Sequence, residues 1–323
     1  MKLAVVCNPH ARGIRRDPRL AERLSELVGD RGVCVVPQDL DELRSVVQGL
    51  CDDGVDLLAL LGGDGTCSRV FTKLVPRWGD RPLPLVQLLR GGTMNTIAGS
   101  LGIRGQPEDL LRNAMAVADG EPCALVERNL LCVDGERYGF LFGNGLFANY
   151  IAAYDESRRG SSGAALVLSR AVMSVMVGGP FAERLTERVS ATLEVDGELL
   201  PGDSWLVVGA GTVDDVGLGF RPFFGAVERP GKLHMIGIGC SPFELTFQLR
   251  NTVRGRSMRG RDVVDRVGEC LVIRASRAQR YNLDGDLHPS GETTTVEVGP
   301  VLRFLVPGAP PRLGVFGSGR DSN

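Results

Sequence analysis

The sequence lacks the features that would mark a membrane-spanning, secreted or nucleic-acid-binding protein. It contains no run of about 18 uncharged apolar residues, so no transmembrane helix is expected. The apolar stretch at the start, residues 3–7, is too short for a signal peptide and is predicted to be a strand. A formal net charge of -2 argues against a general nucleic-acid binder. The eight cysteines include no Cys-x-x-Cys pair, which indicates reduced thiols in a cytoplasmic protein rather than disulfides or a zinc site.

The length of 323 residues and the hydrophobic content of 43% are typical of a globular protein with two domains. Residues 1–123 alternate predicted strands and helices, a pattern typical of a parallel sheet with helices on both faces. Residues 124–307 contain strand-length segments separated by turn residues, which predicts an antiparallel β-sandwich. The Gly- and Pro-rich residues 308–323 are predicted to be a disordered tail.

A glycine-rich segment, residues 62–66 (Gly-Gly-Asp-Gly-Thr), follows an apolar run of strand length and precedes a helical pattern. Without a Cβ, glycine lets backbone N–H groups approach phosphate oxygens, and the dipole of the following helix favours negative charge. Asp64 suits such a site only if a cation such as Mg²⁺ lies between the carboxylate and the phosphate. The segment therefore predicts a nucleoside triphosphate site; the alternative is a tight strand-to-helix turn without a ligand.

Three loops rich in Asn, Gly or Thr follow predicted strand ends, at residues 8–13, 62–66 and 91–96. Ligands of parallel α/β sheets bind beyond the carboxyl ends of the strands. We therefore expect these loops to converge on one site.

The segment Asp284-Gly285-Asp286 is the third Asp-Gly step of the second half, after residues 134–135 and 196–197. A hairpin turn explains such a step without any function. A second carboxylate follows at Asp286, two residues on, and paired acids can act as a base and its orienting partner.

Two other segments leave alternatives open. A helix predicted over residues 162–177 is apolar almost all round, so it either packs in the core or lines an apolar pocket or contacts lipid. The arginine-dense residues 250–261 form either a solvated face or a surface that attracts phosphate or an anionic membrane.

Taken together and in the order in which they occur along the chain, these motifs make residues 1–306 resemble the diacylglycerol kinase and sphingosine kinase family of soluble lipid kinases. The points of contact are Asn8-Pro9, residues 62–66, Gly92-Thr93-x-Asn95, Asn144-Gly145 and residues 283–286. The glycine motif alone is shared with NAD kinases and phosphofructokinases, whereas the ordered set is more specific. The resemblance implies an α/β nucleotide-binding domain, a C-terminal antiparallel β-sandwich with a helical insertion, and an active site in the cleft between them.

The resemblance also implies an ATP-dependent kinase that transfers the γ-phosphoryl group to a hydroxyl of diacylglycerol, ceramide or a sphingoid-type lipid. Asp284 would accept the proton of the hydroxyl, Asp286 would be the second acid, and Asp64 would help to place Mg²⁺. The residues implied to bind ATP are Asn8, Gly62, Gly63, Asp64, Gly65, Thr66, Cys67, Ser68, Gly92, Thr93 and Asn95.

The chain departs from the family pattern at several positions. Thr96 stands where the family often has Asp, Asp286 where it commonly has Glu, and Ser68-Arg69 where Asn and Glu frequently occur. Pro230 stands where some members have the acid of a structural Mg²⁺ site. These departures keep two alternatives open: an NAD kinase-like kinase of a soluble substrate, and a catalytically silent regulator that binds nucleotide or lipid.

The partner expected from this resemblance is a lipid substrate, which a protein without a spanning helix would meet peripherally at the inner membrane surface. Nucleic acid is not an expected partner, and a homo-oligomer is compatible with the sequence. We expect salt-sensitive vesicle binding that depends on the arginines of residues 250–261.

Overall fold

The first half of the chain forms the parallel part of a large sheet. A computed structural model of the protein describes residues 1–158, 179–217 and 219–307. The strands of this half are β1 (Leu3–Cys7), β2 (Gly32–Val35), β3 (Leu57–Leu61) and β4 (Leu85–Leu88). The helices are α1 (Arg12–Arg16), α2 (Leu20–Val28), α3 (Leu40–Asp53), α4 (Asp64–Trp78), α5 (Thr96–Ser100) and α6 (Pro107–Ala118), with a 3₁₀ turn at Gly29–Arg31.

The strands and helices of this half form where the hydrophobic patterns place them. Every residue of β1 and β3 is buried, as expected for central strands covered on both faces. Asp39 caps α3 by accepting hydrogen bonds from the backbone N–H groups of Asp41 and Glu42. The Glu42 side chain accepts a hydrogen bond from the backbone N–H of Gln38, the residue before the cap.

The second half is mainly antiparallel. Its strands are β5 (Ala124–Val133), β6 (Arg137–Gly139), β7 (Leu141–Gly145), β8 (Val189–Val195), β9 (Glu198–Leu199), β10 (Ser204–Trp205), β11 (Val207–Gly211), β12 (Leu233–Ile238), β13 (Val263–Gly268), β14 (Cys270–Ala275), β15 (Gln279–Leu283), β16 (Asp286–Ser290) and β17 (Thr293–Val306). Its described helices are α7 (Leu146–Arg158), α8 (Pro180–Leu185), α9 (Phe224–Glu228) and α10 (Pro242–Val253). The apolar helix predicted over 162–177 and the tail predicted over 308–323 lie outside the described residues.

The strands of the described residues form two sheets. One has the order β10-β8-β14-β17-β4-β3-β1-β2, with β5 paired to β17 and β6, and β9 paired to β8. The other is antiparallel, in the order β13-β12-β11-β7-β15-β16. Side chains from both sheets share one core, which includes Leu131, Leu193 and Ile273 from the first and Met235 and Tyr281 from the second. The predicted class, an α/β nucleotide-binding fold followed by an antiparallel sandwich, is therefore confirmed.

The strand β17 joins the two halves, which the sequence patterns do not predict. Residues 294–298 and 301–306 are two strand-length segments separated by Gly299-Pro300, but they form one long strand with a bulge between Val298 and Val301. Its last residues pair in parallel with β4, Arg303 opposite Leu85 and Phe304 opposite Val86. One sheet therefore runs through both halves, and the boundary at residues 123–124 stays a prediction.

None of the helices in the described ranges combines the length and apolar character that crossing a bilayer requires.

Candidate active site

The three predicted loops meet at the carboxyl ends of β1, β3 and β4. The backbone N–H of Gly13 donates to the carbonyl of Gly91 at 2.9 Å, which joins the first loop to the third. A Cβ on Gly92 would collide with the backbone of Gly63, so glycine is required where the second and third loops touch. The convergence predicted for these loops is present in the structure.

Asn8 and Thr66 connect the first loop to the helix that begins in the second. The Asn8 amide donates to Thr66 Oγ1 at 2.8 Å, and its Oδ1 accepts from the backbone N–H of His10. Helix α4 starts at Asp64 with Gly63 as its N-cap, and no side chain caps it. The amino end of a 15-residue helix therefore opens towards the loops with its first-turn N–H groups uncapped by a side chain, which favours an anion.

Asn95 and Asp64 shape the third loop. Asn95 has a left-handed backbone (φ 52°), and its side chain both accepts from the N–H and donates to the carbonyl of Gly92. Asp64 accepts hydrogen bonds of 3.0 Å from the N–H groups of Thr96 and Ile97, so its carboxylate caps α5. Burial raises the pKa of Asp64 although these bonds oppose the rise. Thr93 is exposed at the loop tip.

Two residues of the predicted nucleotide set face away from the loops. The hydroxyl of Ser68 donates to the Tyr138 carbonyl on β6 at 2.9 Å, and the Cys67 side chain is buried. Both side chains pack α4 against the second half, so only their backbone is open to a role in binding. The nearby acids Asp64 and Asp284 add to the burial that raises the pKa of the Cys67 thiol well above its usual value.

Asp284 lies buried between the two halves rather than on a distant surface. It has a left-handed backbone (φ 51°) and is 5% exposed. Its carboxylate accepts hydrogen bonds from the N–H groups of Phe140 and Leu141, at 3.0 and 2.9 Å. Burial, followed by repulsion from Asp64 and Asp286, raises the pKa of Asp284 well above its usual value.

The other two Asp-Gly turns show which features of Asp284 belong to the turn. Asp134 and Asp196 are also left-handed, and each accepts backbone N–H bonds from a neighbouring strand. Both are exposed, however, whereas Asp284 is buried and Asp64 contributes to its raised pKa. Burial beside Asp64, not turn geometry, therefore distinguishes Asp284.

Asp286 contacts the first turns of α4 directly. Its carboxylate forms a two-pronged ion pair with Arg69, with both N–O distances 2.7 Å. A Cβ placed on Gly65 would lie 3.1 Å from Asp286 Oδ2. The acidic segment predicted in the second half and the glycine segment predicted in the first therefore lie side by side, and we call the region between them the crevice. Nucleotide binding and proton transfer by these residues stay predictions.

Two residues outside the predicted site set, Arg90 and Asp214, lie in or contact the segment that forms the third loop and α5. Arg90, which follows β4 with φ 52°, has a buried Nε without a hydrogen-bond partner among the described residues. Asp214 accepts from the Ser100 hydroxyl of α5 and pairs with Arg221, so it ties the third loop to the second half. The sequence could have identified Arg90, since it is a cation directly before Gly91-Gly92. No sequence pattern could have identified Asp214, because its contact with α5 spans more than a hundred residues of sequence.

Residues 2–122 match the family model described as diacylglycerol kinase catalytic domain. A crystal structure of a diacylglycerol kinase from Bacillus anthracis str. Sterne superposes with a TM-score of 0.62 at 14% identity, covering 94% of this chain and 96% of that one. Two further structures from the same organism give TM-scores of 0.65 and 0.67. Yeast NADH kinase complexed with NADH gives 0.50 at 13% identity, with 100% and 90% covered. No curated protein sequence matches this chain.

The fold, an α/β half followed by an antiparallel half, is similar to that of the solved diacylglycerol kinase structure and of yeast NADH kinase. Within the chain, residues 2–122 are similar to the diacylglycerol kinase catalytic domain. The likeness to the solved structures concerns the fold alone.

Proposed function

We propose that this protein is an ATP-dependent lipid kinase that transfers the γ-phosphoryl group to the hydroxyl of a diacylglycerol, ceramide or sphingoid-type lipid. The observation that carries the proposal is the contact of the Asp284–Asp286 hairpin with the amino end of α4. Phosphoryl transfer depends mainly on positioning and charge stabilisation. A site for phosphate and a proton acceptor within one crevice meets both requirements.

The triphosphate is bound by the uncapped amino end of α4 and by the loops around Asn8 and Gly92. Arg90 adds a guanidinium N–H with no described protein partner, and a buried polar group of this kind calls for one. Thr93 at the exposed loop tip is the residue of this set most open to a nucleotide.

Asp284 is the proton acceptor for the attacking hydroxyl. Its raised pKa brings its basicity closer to neutral pH, where a general base acts best. The bonds from Phe140 and Leu141 fix its orientation, while Asp286 and Arg69 hold the hairpin on α4.

The acids at the crevice fit a magnesium ion that arrives with the nucleotide. The charges of Asp64 and Asp286 help to raise the pKa of Asp284, and a divalent cation would relieve this repulsion. No group of three potential ligands that could hold a metal occurs in the part of the chain that the structure describes. Magnesium commonly uses one or two carboxylates together with phosphate oxygens. When bound, the ion would neutralise phosphate charge.

The test is phosphate transfer by the purified full-length protein from labelled Mg-ATP to a panel of diacylglycerol, ceramide and a sphingoid base, with NAD as a soluble acceptor. We expect a labelled lipid, and loss of labelling with retained ATP affinity in Asp284→Asn. Asp196→Asn is the matched control, because Asp196 has the same backbone and the same kind of N–H partners away from α4. It should keep full activity.

Two outcomes would replace the proposal. Labelling of NAD without any labelled lipid would make the protein an NAD kinase-like enzyme. ATP binding without transfer to any acceptor would identify a catalytically silent regulator.

A further inference from the structure

The arginine-dense residues 250–261 form a basic surface at the end of α10. The segment contains five arginines, Arg250, Arg254, Arg256, Arg259 and Arg261, and no acidic residue, in a chain whose net charge is -2. All five are exposed. We propose that this basic surface docks the protein on an anionic phospholipid bilayer. The biological purpose of this docking rests on the proposed lipid kinase function, whereas the experiment that tests it does not.

Four of the five arginine charges of the basic surface are not balanced by an ion pair within the described protein. Arg250, Arg254, Arg256 and Arg261 form no ion pair with any described residue. The neighbouring Asp265 is already used, since it bonds His234 Nε2 at 2.7 Å and accepts from the N–H of Met258. Like charges held together without counter-ions favour an external anion.

A pocket of about 540 Å³ lies within this surface and offers donors that suit a phosphate headgroup. It is lined by Phe224, Asn251, Gly255, Arg256, Ser257 and Arg259. Beside it, the apolar Val253 is 53% exposed at the last turn of α10. Basic side chains around exposed apolar ones are typical of surfaces that lie at the interface of a bilayer.

The basic surface is fixed in place. The buried Met258 anchors the segment, and the carbonyl of Thr252 accepts from the backbone N–H of Arg221. The Arg221 side chain in turn pairs with Asp214, which accepts from Ser100 of α5. A chain of contacts therefore joins the basic surface to the helix that follows the third loop.

The experiment measures co-sedimentation of the full-length protein, without nucleotide, with phosphatidylcholine vesicles that contain or lack phosphatidylglycerol. We expect binding only to the anionic vesicles, and weaker binding as salt increases. Each basic residue near an anionic surface strengthens binding roughly fivefold. Arg254→Gln with Arg256→Gln should therefore weaken vesicle binding about 25-fold, by the same principle.

The matched control is Arg104→Gln with Arg280→Gln, which removes the same charge from exposed positions outside the surface and should change binding little. No binding to anionic vesicles, or an equal loss in the control, overturns the proposal. The proposal is also overturned if inorganic phosphate saturates the pocket while the protein does not bind vesicles. It is overturned as well if a single-stranded oligonucleotide binds as tightly as the anionic vesicles. Because no nucleotide is present, a failed kinase assay would leave this result unaffected.

Discussion

Asp284 lies where a charged carboxylate is disfavoured, because it is buried and faces Asp64 and Asp286. At pH values between the usual pKa of aspartate and the raised pKa of Asp284, this residue is protonated to a greater extent in the folded than in the unfolded protein. Stability is therefore lost as the pH rises through that window. Asp284→Asn does not titrate, and its Oδ1 can still accept from the same N–H groups.

We expect Asp284→Asn to raise the melting temperature at pH 7 by several degrees while it abolishes phosphate transfer. The gain should shrink as the pH approaches about 4, the usual pKa of aspartate. Thermal unfolding of both proteins across this range checks the prediction. Asp196→Asn should show no such gain; a variant of Asp284 that is less stable at pH 7 would contradict the argument.

Arg90 supplies a second prediction for a single residue. If its buried Nε binds a phosphate oxygen, Arg90→Gln removes a charge-assisted hydrogen bond worth about 1.5–3 kcal/mol. The affinity for ATP, measured by calorimetry, should fall at least about tenfold. Arg77→Gln, at the opposite end of α4 and exposed, is the control and should leave ATP affinity unchanged. Unchanged affinity in Arg90→Gln would exclude Arg90 from the phosphate site.

At the scale of elements, the Arg69–Asp286 pair holds the β15–β16 hairpin against α4. Arg69 is 50% exposed and Asp286 22%, so solvent screens the pair and its coupling energy should be only about 0.5–1 kcal/mol. Its effect on activity should be larger, because loss of the pair lets the hairpin that carries Asp284 move away from the glycine loop. We expect Arg69→Gln to lower kcat more than it changes the KM for ATP.

The Arg274–Glu194 pair is a matched control for this prediction. Its N–O distance is also 2.7 Å, and the exposures of its partners are 52% and 28%. A double-mutant cycle on each pair, read by urea unfolding, should give similar coupling energies, whereas only the Arg69–Asp286 cycle should change turnover. Equal turnover in Arg69→Gln and Arg274→Gln would make the first pair a surface ion pair without a role in positioning.

The local parts of the site were predictable and the long-range ones were not. The buried run 57–61 followed by Gly62-Gly63 identifies a strand, a loop and a helix start within a dozen residues, and the structure has all three. The hairpin at Asp284 looks like those at Asp134 and Asp196 in every local respect. Only its pairing with β7 and its contact with Gly65 and Arg69 set it apart, and no local pattern encodes these contacts.

The same limit explains the strand β17. Gly299-Pro300 suggests a turn between two strands, since proline cannot donate a hydrogen bond to a sheet. In the structure, both residues lie in a bulge within one strand. The bulge lets one strand pair with β14 at its start and with β4 near its end. The two strand-length segments thus form a single strand that connects the halves.

At the scale of the whole molecule, this connection predicts cooperative unfolding. The core around the parallel strands includes Phe140, Val213, Leu302 and Phe304 from the second half, packed with residues such as Phe71. Neither half can bury its apolar surface without the other, so we expect one unfolding transition for the described fold rather than one for each predicted domain.

The two tryptophans of the chain allow a direct test, because buried Trp78 lies on α4 of the first half and buried Trp205 on β10 of the second. Trp205→Phe leaves a fluorescence probe of the first half, and Trp78→Phe leaves one of the second. In each variant, the fluorescence change in urea should coincide with the loss of far-UV circular dichroism. If the Trp78 signal changes at a clearly different urea concentration from the dichroism of the same variant, the halves unfold separately. The shared sheet would then contribute little to their coupling, and the crevice would be a contact between two independent domains.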